Sequence, residues 1–231
     1  MKREDIEKII KKRKGNNLID LRKIDFGDGL DLSNLDLSHI DFTDVTGENI
    51  NFSGSNLSES IFTGTRLEHS DFSNANLQKA ILKSCDLRFS NFHNADCRGT
   101  HFECTIMECS NHEGIIIDDT TENYRMHCPE TGAFVGYKKC FNDLIVMLLI
   151  PADARRASAT TRPCRCDKAK VLRITDFSGE QRYDEAYSLC AEGFRYKVGE
   201  YVYEPKFNPD RWMESTYGIH FWMTEEEARA Y

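Results

Sequence analysis

The sequence predicts a mainly β protein in which an N-terminal helix precedes a solenoid and a small α+β domain follows it. Apolar residues recur at every fifth position between residues 32 and 107, which indicates a solenoid built from a short repeat. Residues 3–14 instead carry apolar residues at helical spacing, and after residue 123 aromatic and β-branched residues become frequent. We therefore divide the chain into residues 1–15, 16–117 and 118–231.

Charge and cysteine content limit the classes of function. The net charge is −8, and residues 16–117 carry sixteen acids against seven bases. This argues against a nucleic-acid partner. The longest apolar run, Leu144–Ile150, is too short to span a bilayer, and no secretory signal is visible. Nine cysteines at irregular spacings then indicate reduced thiols, so we expect a cytoplasmic protein without membrane association.

The repeat is regular at three positions. Sixteen successive positions from Leu32 to Met107, called i here, are apolar in fifteen cases, and Gly47 is the exception. Position i−1 is Asp or Asn in ten of the sixteen repeats, and position i−2 is small in every repeat from Ser55 to Thr105. Such a fixed short period is typical of a solenoid, because each repeat can bury its apolar residue only by stacking on its neighbours.

Three stretches, "ANLQK" from Ala75, "CDLRF" from Cys85 and "SNFHN" from Ser90, resemble the pentapeptide-repeat family. The resemblance covers about residues 19–110 and implies a right-handed quadrilateral β-helix with twenty residues per coil. We expect the i and i−2 side chains to point inward and Asp or Asn at i−1 to occupy the corners. The phase slips by one residue at positions 27–29, so the first coil is expected to be distorted.

The open end of such a stack must be covered. Ile6, Ile9 and Ile10 lie on one helical face, which predicts a capping helix over residues 3–14. The basic run 11–14 then lies at the helix C-terminus, where the helix dipole favours cations.

Folding the repeat by twenty assigns the outward i−1 residues to four faces. The first two faces are polar columns: Asp31, Asn51, Asp71 and Asn91, then Asp36, Asn56, Asn76 and Asp96. The third contains Asp41, Ile61, Ile81 and His101, and the fourth contains Thr46, Arg66, Asp86 and Ile106. We predict one apolar strip on the last two faces, formed by Ile61, Ile81, Phe89 and Ile106.

An exposed apolar strip usually marks an interface. We expect it to contact a protein partner or the C-terminal domain of this chain, and the oligomeric state stays open. The main hypothesis is thus a non-catalytic interaction or scaffold protein. The resemblance also implies an alternative, because some pentapeptide-repeat proteins mimic duplex DNA and bind type II topoisomerases. The apolar and basic residues on two faces argue against that alternative.

Residues 123–231 are predicted to form the α+β domain. Strands are expected at 133–138, 144–149, 170–175, 194–203 and 218–223, with a short helix within 183–192. Thr224 and Glu227 form a capping box for a terminal helix over residues 224–229. The stretches from Gly136 and Gly218 resemble an uncharacterised domain found after pentapeptide repeats, and that resemblance implies no activity.

A basic cluster in this domain could bind an anion or contact an acidic solenoid; its candidates are Arg155, Arg156, Arg162 and Arg165. Cys164 and Cys166, with Cys128, Cys140, His127 and His220, could form a zinc site. The paired C-x₂-C spacing of strong zinc sites is absent, however. We therefore expect buried thiols, with no metal and no cofactor.

The stretch "YGIHFWMTEEEARAY" resembles a segment of ADP-ribosyltransferase-like folds. The resemblance implies a nucleotide cleft lined by Tyr137, Lys138, Ser188 and His220, of which Tyr137, Ser188 and His220 are the catalytic candidates. The family's catalytic glutamate has no counterpart that we can place. His220 also alternates with Ile219 and Phe221, which equally suits a histidine of the core. A nucleotide-binding enzyme is therefore the alternative function.

Overall fold

The computed structural model describes all of residues 1–231. The chain forms two compact units, Met1–Arg125 and Met126–Tyr231.

The first unit is a helix followed by a stack of coils with very short strands. The strands of the first coils pair in parallel, β1 with β3 and β2 with β4. From Asp31↔Asn51 to Asp96↔Ile116, single-residue parallel bridges then join positions twenty residues apart on four faces. The regular elements are α1 (Arg3–Lys11), β1 (Ile19–Asp20), β2 (Asp25–Asp28), β3 (Ile40–Asp41) and β4 (Thr46–Glu48).

The corners of the coils have a left-handed backbone. Every fifth residue from Asn34 to Gly114 has a positive φ, between 52° at His39 and 72° at Gly64. These corner residues follow each i residue by two positions, so the prediction that the i−1 Asp and Asn form the corners is wrong. The i−1 residues instead lie in the parallel bridges between coils. There a side-chain oxygen, such as that of Asp31, accepts a hydrogen bond from the backbone N–H two residues later. That bond stabilises the turn into the next corner.

The interior is filled as the repeat predicts. All the Leu and Phe residues at i from Leu32 to Phe102 are fully buried, and the small i−2 residues from Ser55 to Thr105 are at most 2% exposed. Phenylalanine rings stack through the axis, with ring centroids 5.0 Å apart for Phe52–Phe72 and for Phe72–Phe92. These rings form a continuous apolar column through the coils.

Both ends of the solenoid depart from the twenty-residue step. Ile19 pairs with Ile40 and His101 pairs with Glu122, each twenty-one residues apart. The first shift agrees with the phase slip in the sequence. The second shift shows that the coils continue past residue 117. One extra residue precedes Glu122, so the last repeat does not follow the strict period of five in the sequence. The predicted boundary at 117 is therefore too early.

Helix α1 ends at Lys11, earlier than the predicted residue 14, and the first coils are contacted by Ile6 and Arg3 of the helix and by Arg13 after it. Ile6 is fully buried. Arg3 donates to the backbone carbonyls of Asp31 and Ser33, at 3.1 and 3.0 Å. Arg13 donates to the Ser38 carbonyl and to the Asp36 carboxylate. Part of the basic run is thus used inside the molecule.

Hydrogen bonds lower the pKa of several aspartates on the coils. The Arg98 side chain lowers the pKa of Asp96, the Ser33 backbone N–H lowers that of Asp31, and the Arg22 side chain lowers that of Asp20 to about 2. A carboxylate with a lowered native pKa stabilises the fold above its unfolded pKa, near 4, and this contribution is lost as the pH falls through the native pKa.

We therefore expect the free energy of unfolding to fall between about pH 5 and pH 2. Denaturant titrations across that range measure it. The D96N variant should show a shallower fall than the wild type, because it removes one of the shifted groups. An unfolding free energy that stays constant or rises on acidification would contradict this assignment.

The second unit contains three antiparallel sheets and one helix. Four strands lie in the order β12-β9-β6-β5, three in the order β13-β8-β7, and β10 pairs with β11. A 3₁₀ turn, Phe141–Asp143, joins β5 to β6. The elements are β5 (Phe134–Cys140), β6 (Leu144–Ile150), β7 (Arg156–Ala157), β8 (Cys164–Cys166), β9 (Lys168–Thr175), β10 (Glu185–Tyr187), β11 (Arg195–Lys197), β12 (Tyr201–Tyr203), β13 (Ile219–Phe221) and α2 (Glu225–Ala230).

Two predicted elements of this unit are wrong. The single strand expected over 194–203 is two strands, β11 and β12, because Gly199 adopts a φ of 83° and turns the chain between them. The short helix expected within 183–192 is absent, and β10 occupies part of that segment. Its side chains alternate with Ala186 inward, which is the burial pattern of a strand.

A close approach of β13 to β5 determines where the candidate site lies. A Cβ atom added to Gly136 would lie 2.5 Å from Cδ2 of Phe221, so only glycine allows this ring to pack on the strand. Tyr137 and Trp222 exchange backbone hydrogen bonds of 2.8 and 2.7 Å next to this contact. The two sheets are thereby joined beside the following residue of β5, Lys138.

Candidate functional site

A cleft of about 760 Å³ lies in the second unit, between β5, β11, β13 and the chain end. Its polar and charged lining comes from Lys138 on β5, Ser188 after β10, Glu204 after β12, and Glu214 and His220 around β13. Clefts of this size are typical of small-molecule sites. It is therefore the best-formed candidate binding site of this unit.

Lys138 occupies a core-facing position of β5 and borders this cleft. Gly136, Lys138 and Cys140 point to the buried side of the strand, and Lys138 is only 5% exposed. Its ammonium donates one hydrogen bond, to the His220 carbonyl at 3.1 Å, and no carboxylate pairs with it. Burial lowers the pKa of Lys138, because a desolvated ammonium lacks the stabilisation that water provides.

His220 and Ser188 line the same cleft without contacting each other. The His220 ring lies 3.1 Å through Nδ1 from the Gly218 carbonyl and 3.4 Å through Nε2 from the Glu214 carbonyl. Burial lowers the pKa of His220. Ser188 accepts a hydrogen bond from the Cys190 backbone N–H at 3.3 Å. A nucleophile needs a base within hydrogen-bond reach, and this arrangement does not pair the two.

Tyr137 lies outside the cleft, although the sequence placed it there. Side chains alternate along a strand, so Tyr137 points away from Lys138. It packs instead with Ile145, Trp222 and Ala228 on the other side of β5. The structure therefore brings together three of the four residues expected to line a nucleotide cleft.

Sequence reasoning missed most of the cleft lining. Five aromatic rings contribute to it, and two of them, Tyr217 and Tyr231, are 57% and 62% exposed. The aromatic residues are Phe194, Tyr196, Tyr217, Trp222 and Tyr231. They come from four separate segments, so no local spacing could have grouped them. The one sequence signal was a lysine at an apolar-facing position of a strand.

The four arginines proposed as an anion site are used inside the unit. Arg155 pairs with Asp167 at 2.8 Å, and Arg162 pairs with Glu227 at 3.0 Å. Arg156 donates to the carbonyls of Pro151, Ala152, Ala154, Pro129 and Gly132. Arg165 is 2% exposed and donates to the carbonyls of Asn208 and Asp210. The guanidinium groups of these four arginines are thus paired with carboxylates or backbone carbonyls of the same unit. The structure therefore does not support the expected anion site.

The residues weighed as zinc ligands are dispersed. No group of three His, Cys, Asp or Glu side chains is placed to hold a metal ion. His127 lies 3.5 Å from Glu227, while His220 lies in the cleft. The Cys164 thiol donates to the Arg162 carbonyl at 3.4 Å, and the Cys166 thiol donates to the Ile219 carbonyl at 3.8 Å.

The first two outer faces of the β-helix are hydrogen-bonded ladders. Asn91 donates to Asp71 at 3.0 Å and Asn111 to Asn91 at 2.9 Å on the first face. On the second face, Asn76 donates to Asn56 at 3.0 Å, which in turn donates to Asp36. These polar side chains therefore satisfy one another along both faces.

The third and fourth faces present the residues of the expected apolar strip, but not as one strip. Ile61 and Ile81 are bridged neighbours on the third face, and Ile106 follows Asp86 on the fourth. Phe89 lies at the corner after the fourth face, stacked 4.7 Å from His69. Between these groups, Arg88 bridges Glu68 and Asp86 at 2.7 Å each. The outer surface is thus apolar patches around an ion-paired centre.

This surface also differs from what DNA mimicry would need. Arginines neutralise acids along the coils, as in the pair Arg98–Asp96 at 2.6 Å, besides the ion pairs of Arg88. Ion pairs with arginine therefore interrupt the acidic surface on the second face, at Asp96, and on the fourth face, at Asp86.

Comparison with known proteins identifies both units. Residues 36–74, 50–88 and 70–108 match the family described as pentapeptide repeats, with 8 copies. Residues 124–228 match a family of unknown function (DUF5758). The first unit thus contains pentapeptide repeats over residues 36–108. The second unit resembles that family of unknown function over residues 124–228.

Solved structures similar to this chain include pentapeptide-repeat proteins. Rfr23 from the cyanobacterium Cyanothece 51142 has 20% identity and a TM-score of 0.26, covering 44% of this chain and 89% of its own. HetL from Nostoc sp. strain PCC 7120, involved in heterocyst differentiation regulation, has 12% identity and a TM-score of 0.26, covering 52% and 93%. The plasmid-mediated fluoroquinolone resistance protein QnrB1 has 16% identity and a TM-score of 0.13, covering 45% and 90%.

No curated protein matches the chain at a significant level. Neither helix has the length and apolar character needed to cross a membrane.

Proposed function

We propose that the protein is a non-catalytic interaction scaffold whose β-helix contacts a protein partner through its third and fourth faces. The contrast between the faces carries this proposal. Between residues 31 and 96, two faces satisfy their own polar side chains, whereas the third presents Ile61 and Ile81 where those faces have Asp or Asn. Interfaces commonly combine apolar patches with charged groups at their rim.

Exposure and backbone geometry support the assignment. Ile81, Phe89 and Ile106 are 36%, 49% and 45% exposed. Phe89 has a φ of 60°, a conformation that costs a bulky side chain more than Asn or Gly. A half-exposed aromatic ring at such a corner contributes little to folding, so a role in binding explains its presence better.

The I81D variant tests this surface. We expect it to remain folded, since a partly exposed position tolerates substitution at a cost of about 1 kcal/mol or less. It should lose partner binding, because a carboxylate would be buried without a counter-charge. All three measurements use the full-length protein. Light scattering detects binding of a second copy, and limited proteolysis detects contact with the chain's own second domain. Affinity purification detects a separate protein partner.

Ile116 provides the matched control. It is 48% exposed and belongs to the second face, in the column of Asp96. I116D makes the same chemical change on a face that we do not assign to binding, so it should behave like the wild type. If I81D leaves mass, protease resistance and purified partners unchanged, the third face is not an interface.

A further inference from the structure

Lys138 is a buried lysine that forms no ion pair and lies beside an open cleft. Lysine is almost never fully buried unless it is paired, and this side chain is 5% exposed. Its one hydrogen-bond acceptor is the neutral His220 carbonyl at 3.1 Å. The ionisable groups that influence it are thiols, of Cys140, Cys190 and Cys166. Glu204 and Glu214 also line the cleft, but neither carboxylate forms an ion pair with this lysine.

The cleft offers further groups to a ligand at this position. The hydroxyl groups of Ser188 and Ser215 line it together with Lys138 and can donate to an anion. Exposed rings of Tyr217 and Tyr231 also line it, and the Tyr231 ring contacts that of Trp222 at a tilt of 40° with centroids 4.5 Å apart. Planar ligands gain energy by stacking on such rings.

We propose that the cleft binds a small anion that carries a planar ring, with the phosphate or carboxylate at Lys138 and the ring against Tyr217. The volume of about 760 Å³ accommodates a ligand of nucleotide size. The bound anion would restore the charged form of the lysine, whose pKa burial lowers. This site is independent of the interaction surface on the β-helix.

Calorimetric titration of the full-length protein with defined probes tests the proposal. AMP represents a ring with a phosphate, and 4-hydroxybenzoate represents a ring with a carboxylate. Adenosine and 4-hydroxybenzamide are their neutral counterparts, and inorganic phosphate is the anion alone. We expect at least one of the two ring anions to bind more tightly than both its neutral counterpart and phosphate. Tighter binding of AMP would identify a phosphate as the preferred anionic group, and tighter binding of 4-hydroxybenzoate would identify a carboxylate.

The K138M variant should weaken that binding about thirtyfold or more, as expected when one member of a buried charge pair is lost. K139M is the matched control: Lys139 is the next residue, points to the other side of β5 and lies 3.7 Å from Asp143. It should bind like the wild type. Methionine keeps the length and apolar character of the lysine side chain, so the fold should persist.

The Y217A variant gives a second test that does not depend on a core substitution. Its ring is 57% exposed, so the fold should be unaffected, while binding of the ring anion should weaken. The proposal is overturned if neither ring anion binds at millimolar concentration. It is also overturned if K138M and Y217A both bind the probe as tightly as the wild type.

Discussion

The F72A variant should lose about 3–5 kcal/mol of unfolding free energy, the usual cost of deleting a fully buried phenylalanine side chain. Phe72 is fully buried, its ring centroid lies 5.0 Å from those of Phe52 and Phe92, and it also contacts Phe62 edge-on at 6.3 Å. Alanine would leave a cavity in the middle of the ring column. Because each coil of a solenoid is stabilised by its two neighbours, the loss should extend to the adjacent coils.

Phe89 gives the matched control for this deletion. It is 49% exposed and stacks only on the His69 side chain, so F89A should cost about 1 kcal/mol or less. Denaturant unfolding followed by far-UV circular dichroism measures both variants. Similar losses for F72A and F89A would contradict the inward and outward assignments of the repeat.

A second large effect is expected at Arg165, where R165M should destabilise the second unit by about 2–4 kcal/mol. The guanidinium is 2% exposed and donates to the carbonyls of Asn208 and Asp210. It also lies over the Phe207 ring, 5.2 Å from the centroid. Hydrogen bonds from a charged group contribute roughly 1.5–3 kcal/mol each, and methionine retains only the packing.

R162M is the comparison for this variant. The Arg162 side chain is 72% exposed and pairs with Glu227 at 3.0 Å, and exposed ion pairs contribute about 1 kcal/mol or less. Thermal unfolding with near-UV detection reports on both. If R165M melts with the wild type, Arg165 does not anchor the loop after β12. In that case, the binding of an anion would explain the position of Arg165 better than a structural role does.

The solenoid could be predicted from the sequence because its period is a direct consequence of its geometry. Every fifth side chain points inward, so the column Phe52, Phe72 and Phe92 is visible in the sequence before any coordinates are known. The last coil escaped detection because one additional residue precedes Glu122. The corner residues were misplaced, since hydrogen bonding by Asp and Asn fits both a bridge and a turn.

The second unit was less predictable, because its contacts are not periodic. Gly199 was a visible signal for the turn that divides 194–203, whereas the strand at Glu185–Tyr187 depends on pairing with β11. Pairing of this kind is decided by tertiary contacts more than by intrinsic preference. The cleft combines residues as distant as Lys138 and Tyr231, so only the folded chain brings it together.

The arginine cluster shows a further limit of sequence reasoning. Charge density along the chain suggested a free basic surface, but the side chains of Arg156 and Arg165 donate to backbone carbonyls. Such bonds satisfy loop carbonyls that would otherwise lack partners, and they leave no trace in the local sequence.

The central claim is that the third and fourth faces form an interface. Site-specific photo-crosslinking in cells is the most direct test of it. Benzoylphenylalanine is placed at Phe89, or at Asn94 as the control, which is the next left-handed corner with a φ of 55°. We predict a discrete crosslinked product at residue 89 that I81D abolishes, and none at residue 94. No product at residue 89, or equal products at both positions, would contradict the account.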